Sequence, residues 1–363
     1  MDYVQDVLLR LLQTPSPSGR TEDVMRLIGE ELEHLAVSFY LTRRGVIVAG
    51  LDGQQESPDR AVVVHADTVG CVVKEIRPNG RLQVIPVGHF SARFAEGARV
   101  LVFPDDSPDA ISGTVLPLFA SGHTFGHAVD TQGVGWEHVE VRLDELTDSA
   151  EDTAALGIHV GDFVALEAQP TISASGFVNS RHLDDKAGVA ACLGAFKAVI
   201  DADVELPVSA HLLVTIAEEV GLGASHGLHA DVAEMVSVDN AVVAPGQASR
   251  ETGVSIAMHD SSGPMDYHLT RKLIRLAEEH DIPVQRDVYN FYRSDAAAAL
   301  ESGAETRAAL IGFGVDASHG YERTHLDAIQ RIAELVALYL QTPLTFAWDA
   351  TPRGPLEEFP SQE

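Results

Sequence analysis

The chain has 363 residues, 45% hydrophobic and 22% charged, with 30 Gly, 17 Pro and 2 Cys. That length accommodates about two domains of ordinary size, and the near-average composition excludes a collagenous, coiled-coil or largely disordered protein. Fifty-four acidic against 25 basic side chains leave a formal net charge of -29, which repels phosphate backbones and anionic lipid, so neither nucleic acid nor membrane is expected as a partner.

The N-terminus reads as two amphipathic helices within residues 1–40, separated by the breaker Thr14-Pro-Ser-Pro-Ser-Gly19. Acids stand where a secretory signal needs positive charge, and no window approaches the ~20 apolar residues of a membrane span, so a cytoplasmic location is expected. The β-branched run Arg60–His65 predicts a buried strand, with His65, Asp67 and Gly70 on the loop after it. Residues 72–170 then alternate short β-type runs (81–87, 99–103, 113–118, 139–143, 162–166) with Gly, Pro and Asp turns. Only a short acidic stretch near 145–156 reads as helical. This texture predicts a small antiparallel β-barrel or sandwich.

From about Ser173 strands and helices alternate: helix 186–200, strands 211–217 and 234–239, helix 265–280, strand 306–315 and helix 326–341. The fold class is therefore α/β, with a mixed, largely parallel sheet flanked by helices. Residues 1–70 and 171–350 are expected to form one catalytic domain, interrupted by an inserted β-domain at 71–170 and followed by a loosely ordered tail at 351–363. Cys71 and Cys192 lack CxxC spacing, which leaves no disulfide framework and no thiolate metal site. They read as small buried apolar residues.

Polar residues gather at the ends of the apolar runs: His65 and Asp67, Asp184-Asp185, Glu218-Glu219, Asp239 and His319. In open α/β sheets, sites lie outside the carboxyl ends of the strands, so these five places are expected to converge. A strand-end acid taken singly is usually a solvated turn residue or helix cap. Jointly, the set offers two imidazoles and up to six carboxylates, the ligand chemistry of Zn²⁺, Mn²⁺ or Co²⁺, and the carboxylate surplus suits two ions sharing a bridge. Adjacent carboxylates repel unless a cation or proton resolves them. Rival motifs are weak. Gly221-Leu-Gly223 lacks the third glycine of a nucleotide loop, His123 and His127 flank glycines inside the β-insertion, and neither H-E-x-x-H nor G-x-S-x-G occurs. Arg293 either meets substrate through its planar donor fork or pairs with Asp295 or Asp287.

The segments His65-Ala-Asp67, Arg181–Lys186, Glu218-Glu219, Asp239-Asn240 and His319-Gly-Tyr-Glu322 resemble, in order and spacing, the co-catalytic two-metal aminopeptidases. The chain is similar in particular to the glutamyl/deblocking aminopeptidases that assemble into tetrahedral dodecamers, over residues 1–345. The stretches His259–His268, Asn290–Asp295 and Gly314–His325 also resemble a subgroup associated with the osmoprotectant N-acetylglutaminylglutamine amide. Two local departures stand out: Asp67 is followed by Thr68, and His319 by Gly320.

The resemblance implies two divalent ions per subunit, zinc foremost, with cobalt or manganese as alternatives. It implies that Asp184 bridges them across a cis Asp184-Asp185 peptide, that His65 and Asp239 complete one site, and that Glu219 and His319 complete the other. Asp67 would accept from the free ring N–H of His65, and Glu218 would be the general base that moves a proton from water to the leaving amine. Arg293 and Asp295 are candidate substrate contacts. The implied activity is hydrolytic release of N-terminal residues from short peptides or a modified dipeptide by a homo-oligomer, from dimer to dodecamer. A two-metal amidase or deacylase, or a dedicated dipeptidase acting on an N-acylated or osmolyte-related dipeptide, would use the same ligands. A non-catalytic metal-binding scaffold would have no use for a non-ligand carboxylate at Glu218.

Overall fold

The apolar strands assemble into a twelve-stranded mixed sheet. In the computed structural model, residues 1–346 and Gln362 are described; the tail expected at 351–363 lies, Gln362 apart, outside the described residues. Four strands run parallel at the centre of the sheet, in the order Leu206–Thr215, Gly53–His65, Val232–Val243 and Arg307–Asp316. Antiparallel strands extend both sides, Ile47–Leu51 on one and Glu322–His325 with Phe177–Ser180 on the other. A branch built on Val254–Asp260 pairs antiparallel with Arg307–Asp316 and parallel with Val284–Val288. The centre is parallel because crossover helices cover it, and its strands accordingly read as continuous apolar runs.

The helix Leu183–Asp201 lies deepest. It is apolar almost all round, burying Ala187, Val189, Ala190, Leu193 and Phe196, as a core helix must. The amphipathic helices Asp2–Gln13 and Leu326–Leu340 bury one face each, Val7, Leu8 and Leu11 from the first and Ile329, Ile332 and Val336 from the second. A separate core on the other sheet face takes Val63, Leu213, Leu310 and Ala296, the last from the helix Asp295–Glu301.

Between residues 70 and 166 the chain closes into a six-stranded antiparallel barrel with its own core of Val73, Val84, Val100, Val141 and Val164. Its first strand, Gly70–Ile76, was not among the expected runs; it turns exposed at Lys74 and Glu75, which breaks the apolar pattern. Short helical turns at Ala92–Ala95, Gly122–Phe125 and Ala128–Thr131 also interrupt a stretch expected to be helix-free, and the helix near 145–156 spans only Ala150–Ala155. Both cysteines are free and buried, as expected. Among the described residues no helix is long and apolar enough to cross a membrane.

Candidate metal centre

Parallel alignment places one end of the central strands together, and the acids and histidines collect there. His65 closes the strand Gly53–His65, Glu218 and Glu219 follow Leu206–Thr215, and His319 follows Arg307–Asp316. Asp239 lies inside Val232–Val243, opposite Gly312. Asp184 comes from the opening turn of the central helix, which begins at Leu183, three residues before the expected start. Asp184 and Asp185 have non-helical backbone angles there, and the peptide between them is cis.

The geometry centres on Asp184. Its Oδ1 lies 3.1 Å from His65 Nε2, and its Oδ2 lies 3.3 Å from His319 Nε2. His65 Nε2 is also 3.9 Å from Asp239 Oδ1, and His319 Nε2 is 3.3 Å from Glu219 Oε2. Two trios result, His65–Asp184–Asp239 and Asp184–Glu219–His319, each with its donor atoms within 4.8 Å of one another. Both imidazoles turn Nδ1 to a backbone carbonyl, His65 to Asp67 at 3.0 Å and His319 to His89 at 3.1 Å. An Nδ1–H donating there leaves the Nε2 lone pair facing the carboxylates, the arrangement that orients an imidazole for a cation.

Two buried acids brace this framework. The Asp67 carboxylate accepts from Ser18 Oγ at 2.6 Å and from the backbone N–H groups of Glu218 at 3.1 Å and Glu219 at 3.3 Å. It therefore holds the Glu218-Glu219 turn, while Asp67 meets the His65 ring, as expected, through its backbone. The Asp67 carbonyl accepts from that ring, while the nearer carboxylate oxygen stands off at 3.6 Å because it is committed to Glu218 N–H. Across the site, Glu322 accepts from the N–H groups of Leu183 at 2.7 Å, Asp184 at 3.3 Å and His319 at 2.9 Å. Ser18 carries no sequence signal of its own, and Asn240, whose amide donates to Asp184 Oδ2 at 2.5 Å, was legible only as part of the Asp239-Asn240 segment. Glu322 stands three residues after His319 and was legible as part of that segment, though not its role.

So many buried acids perturb one another. Burial pushes the Glu218 carboxyl well above its ordinary range against the pull of His65, and Asp239, Asp295 and Glu219 add to the rise. Asp239 is raised in the same direction by burial and Asp184, and Glu219 by burial against His319. Burial also favours the neutral form of Asp184, but His319 and His65 overcome it and hold that carboxyl below the carboxylate range. Burial opposes charge on His319, yet Glu219 and Asp184 push its imidazolium up to about 12. The opposed shifts mean that these acids resist carrying charge side by side unless something neutralises them. Oxygen and imidazole donors without thiol, two trios hinged on one carboxylate, and acids that repel unless neutralised all fit divalent ions.

Beside the trios opens a cleft of about 1250 Å³, lined by Asp184, Glu218, Glu219, Asp239 and His319 together with His89, Gln247, Tyr289–Arg293 and Ser318. Arg293 stands on its wall, and its fork grips Glu301 at 2.7 and 2.8 Å, so its partner is neither Asp295 nor Asp287. Asp295 is corrected as a substrate contact. It is 1% exposed and accepts from Thr215 Oγ1 at 2.9 Å and Ala224 N–H at 2.6 Å, behind the Glu218 turn. A Cβ at Gly223 would fall 1.6 Å from its Oδ1, so only glycine fits there. His123 and His127 are exposed and join no candidate metal group among the described residues.

Residues 45–335 match the family model described as M42 glutamyl aminopeptidase. The Bacillus subtilis (strain 168) protein named "Putative aminopeptidase YhfE" is 38% identical over 339 residues, covering 93% of this chain and 97% of that protein. The glutamyl aminopeptidase of Lactococcus lactis subsp. cremoris is 27% identical over 182 residues, 49% of each chain. Among solved structures, the aminopeptidase APDkam598 from Desulfurococcus kamchatkensis superposes with a TM-score of 0.86 at 22% identity, covering 98% of both chains. The Pyrococcus horikoshii TET1 peptidase, which can assemble into a tetrahedron or a large octahedral shell, gives a TM-score of 0.81 at 23% identity, covering 93% of this chain and 99% of that one.

Proposed function

Because the chain belongs to the M42 glutamyl aminopeptidase family and is thereby a metallo-aminopeptidase, we propose that it removes N-terminal residues from short peptides at a two-ion centre. His65, Asp184 and Asp239 would hold one ion, and Asp184, Glu219 and His319 the other. The observation that carries this reading is that two imidazoles address the two different oxygens of one carboxylate, at 3.1 and 3.3 Å. Bound there, divalent ions supply Lewis-acid polarisation of the scissile carbonyl and a water of lowered pKa.

The chain's own residues supply the rest. Glu218 belongs to neither trio, lines the cleft and lies 3.9 Å from His65 Nε2. It takes a proton from the attacking water and returns it to the departing amine as the C–N bond breaks. Asp67 holds that base through the Glu218 and Glu219 N–H groups. The acidic cleft favours a substrate whose leading end is a cationic amine, and the one Arg on its wall is already neutralised by Glu301. We assign the catalytic unit to residues 1–70 and 171–350. The barrel is an inserted domain that walls the cleft and, in a homo-oligomer, contributes contacts between copies. Tyr289–Arg293 and Ser261, on the cleft wall, select the substrate side chain.

Product analysis by mass spectrometry tests the activity on matched peptides with free and N-acetylated ends. Stepwise loss of residues from the free peptides alone is expected. Cleavage confined to acylated or amidated dipeptides would move the chain to the amidase reading.

Two further outcomes follow from the geometry. Asp67→Ala frees both N–H groups of the Glu218 turn and should lower turnover or metal affinity by roughly 10–100-fold; unchanged values for both would remove Asp67 from the positioning role. Zinc binding should release protons, since His319, held up to about 12, must give up its proton to become a ligand. Affinity is therefore expected to increase with pH, and calorimetric enthalpies near pH 7 to vary with the ionisation heat of the buffer. A pH-independent affinity would contradict a protonated His319.

A further inference from the structure

A second gathering of metal-binding side chains lies away from the catalytic end of the sheet. Asp59 stands six residues before His65 on the same strand, roughly 20 Å back along an extended chain. His211 comes from the parallel neighbour Leu206–Thr215, and His229 from the segment before Val232–Val243. Both imidazoles point Nε2 at the same carboxylate oxygen, Asp59 Oδ2, His211 at 2.5 Å and His229 at 3.1 Å. The rings meet edge to face with centroids 4.8 Å apart. The pairing register of Gly53–His65 shifts here against both flanking strands, between Gln55 and Arg60 on one side and between Asp59 and Arg60 on the other. Shifts of this kind re-aim side chains.

An independent observation concerns the other carboxylate oxygen. The Asp59 side chain is 4% exposed, and its Oδ1 is buried with no hydrogen-bond partner. Arg60, next along the chain, sends its guanidinium elsewhere, to the carbonyls of Tyr339 and Thr342. A buried carboxylate with an unsatisfied oxygen costs free energy unless a cation or donor compensates it.

We propose that Asp59, His211 and His229 form a third metal site, taking one zinc-like divalent ion through two imidazoles and a carboxylate. Three nitrogen and oxygen donors within 4.8 Å of one another match zinc's preferences. His229 is 40% exposed, which gives the ion an entry path and leaves a coordination position for water. All three ligands lie outside the catalytic cleft, so the ion acts as a clamp. It ties the segment entering Val232–Val243, the strand that carries Asp239, to the adjacent strand Gly53–His65 and to Leu206–Thr215 beyond it. The proposal does not depend on the aminopeptidase reading.

The test uses the full-length protein, zinc ions alone and metal analysis after removal of excess ion. His229→Ala should bind one ion fewer per chain than wild type, with peptide turnover unchanged. In an Asp184→Asn/His319→Ala background, which disables the two catalytic trios, one tight ion should remain and raise the melting temperature. Adding His229→Ala to that background should abolish both the ion and the shift. The same zinc content in wild type and His229→Ala, or no retained ion in the double variant, would overturn the third site and leave the catalytic assignment standing. A conservative His229→Gln variant, which can still hydrogen-bond Asp59, should behave as His229→Ala does. Full zinc retention by it would mean that the histidines serve only as hydrogen-bond donors.

Discussion

Replacing Glu218 by Gln is expected to lower kcat by roughly 10²–10⁴-fold while metal content remains at the wild-type level. The amide preserves size and hydrogen bonding but cannot accept the proton of the attacking water. Because Glu218 is in neither trio, the ions should stay. Glu218 and Glu219 are adjacent yet face different ways: Glu219 points to His319, with its Oε2 3.3 Å from that ring, and Glu218 lines the cleft. Asp67 makes this division possible by gripping both backbone N–H groups. A Glu218→Gln enzyme with wild-type turnover would remove the base from the mechanism, and one that lost its metal would make Glu218 a ligand.

Asp184→Ala should have the larger effect. This carboxylate is common to both trios, so its removal opens both at once and leaves two unlinked pairs, His65 with Asp239 and His319 with Glu219. Several kcal/mol of transition-state stabilisation would be lost, corresponding to about 10³-fold or more in rate, together with the ions held between the two trios. His319→Ala, by contrast, breaks only the Asp184–Glu219–His319 trio and should keep the ion beside His65. Metal analysis alongside initial rates separates the cases. Equal losses in the two variants would argue that the trios do not share a hinge.

Much of this arrangement was legible in the sequence because its parts sit where the pattern changes. His65, Glu218 and His319 each follow an apolar β-branched run, and a parallel sheet brings such ends together. The barrel was legible as a change of texture, strand-length runs separated by Gly, Pro and Asp. What escaped notice depends on contacts between distant segments. Ser18 reaches Asp67 across 49 residues, and a serine after a Pro-Ser-Pro breaker looks like ordinary loop. Asp295 follows Arg293 closely and seemed to share its surroundings, yet the chain enters a helix at Asp295 and buries it against Thr215 while Arg293 stays at the cleft wall. Asp59, His211 and His229 form no motif, being separated by 152 and 18 positions; only the register of two neighbouring strands and the loop entering a third unites them. The strand Val254–Asp260 was unread because its outer end mixes Met, His and Asp, which fits neither strict alternation nor a continuous apolar run.

The most direct measurement is element-specific anomalous diffraction from crystals of the zinc-loaded protein. Two maxima are predicted at the carboxyl end of the parallel strands, one among His65, Asp184 and Asp239 and one among Asp184, Glu219 and His319, with Asp184 contacting both. A single maximum there, or none, would contradict the two-ion centre.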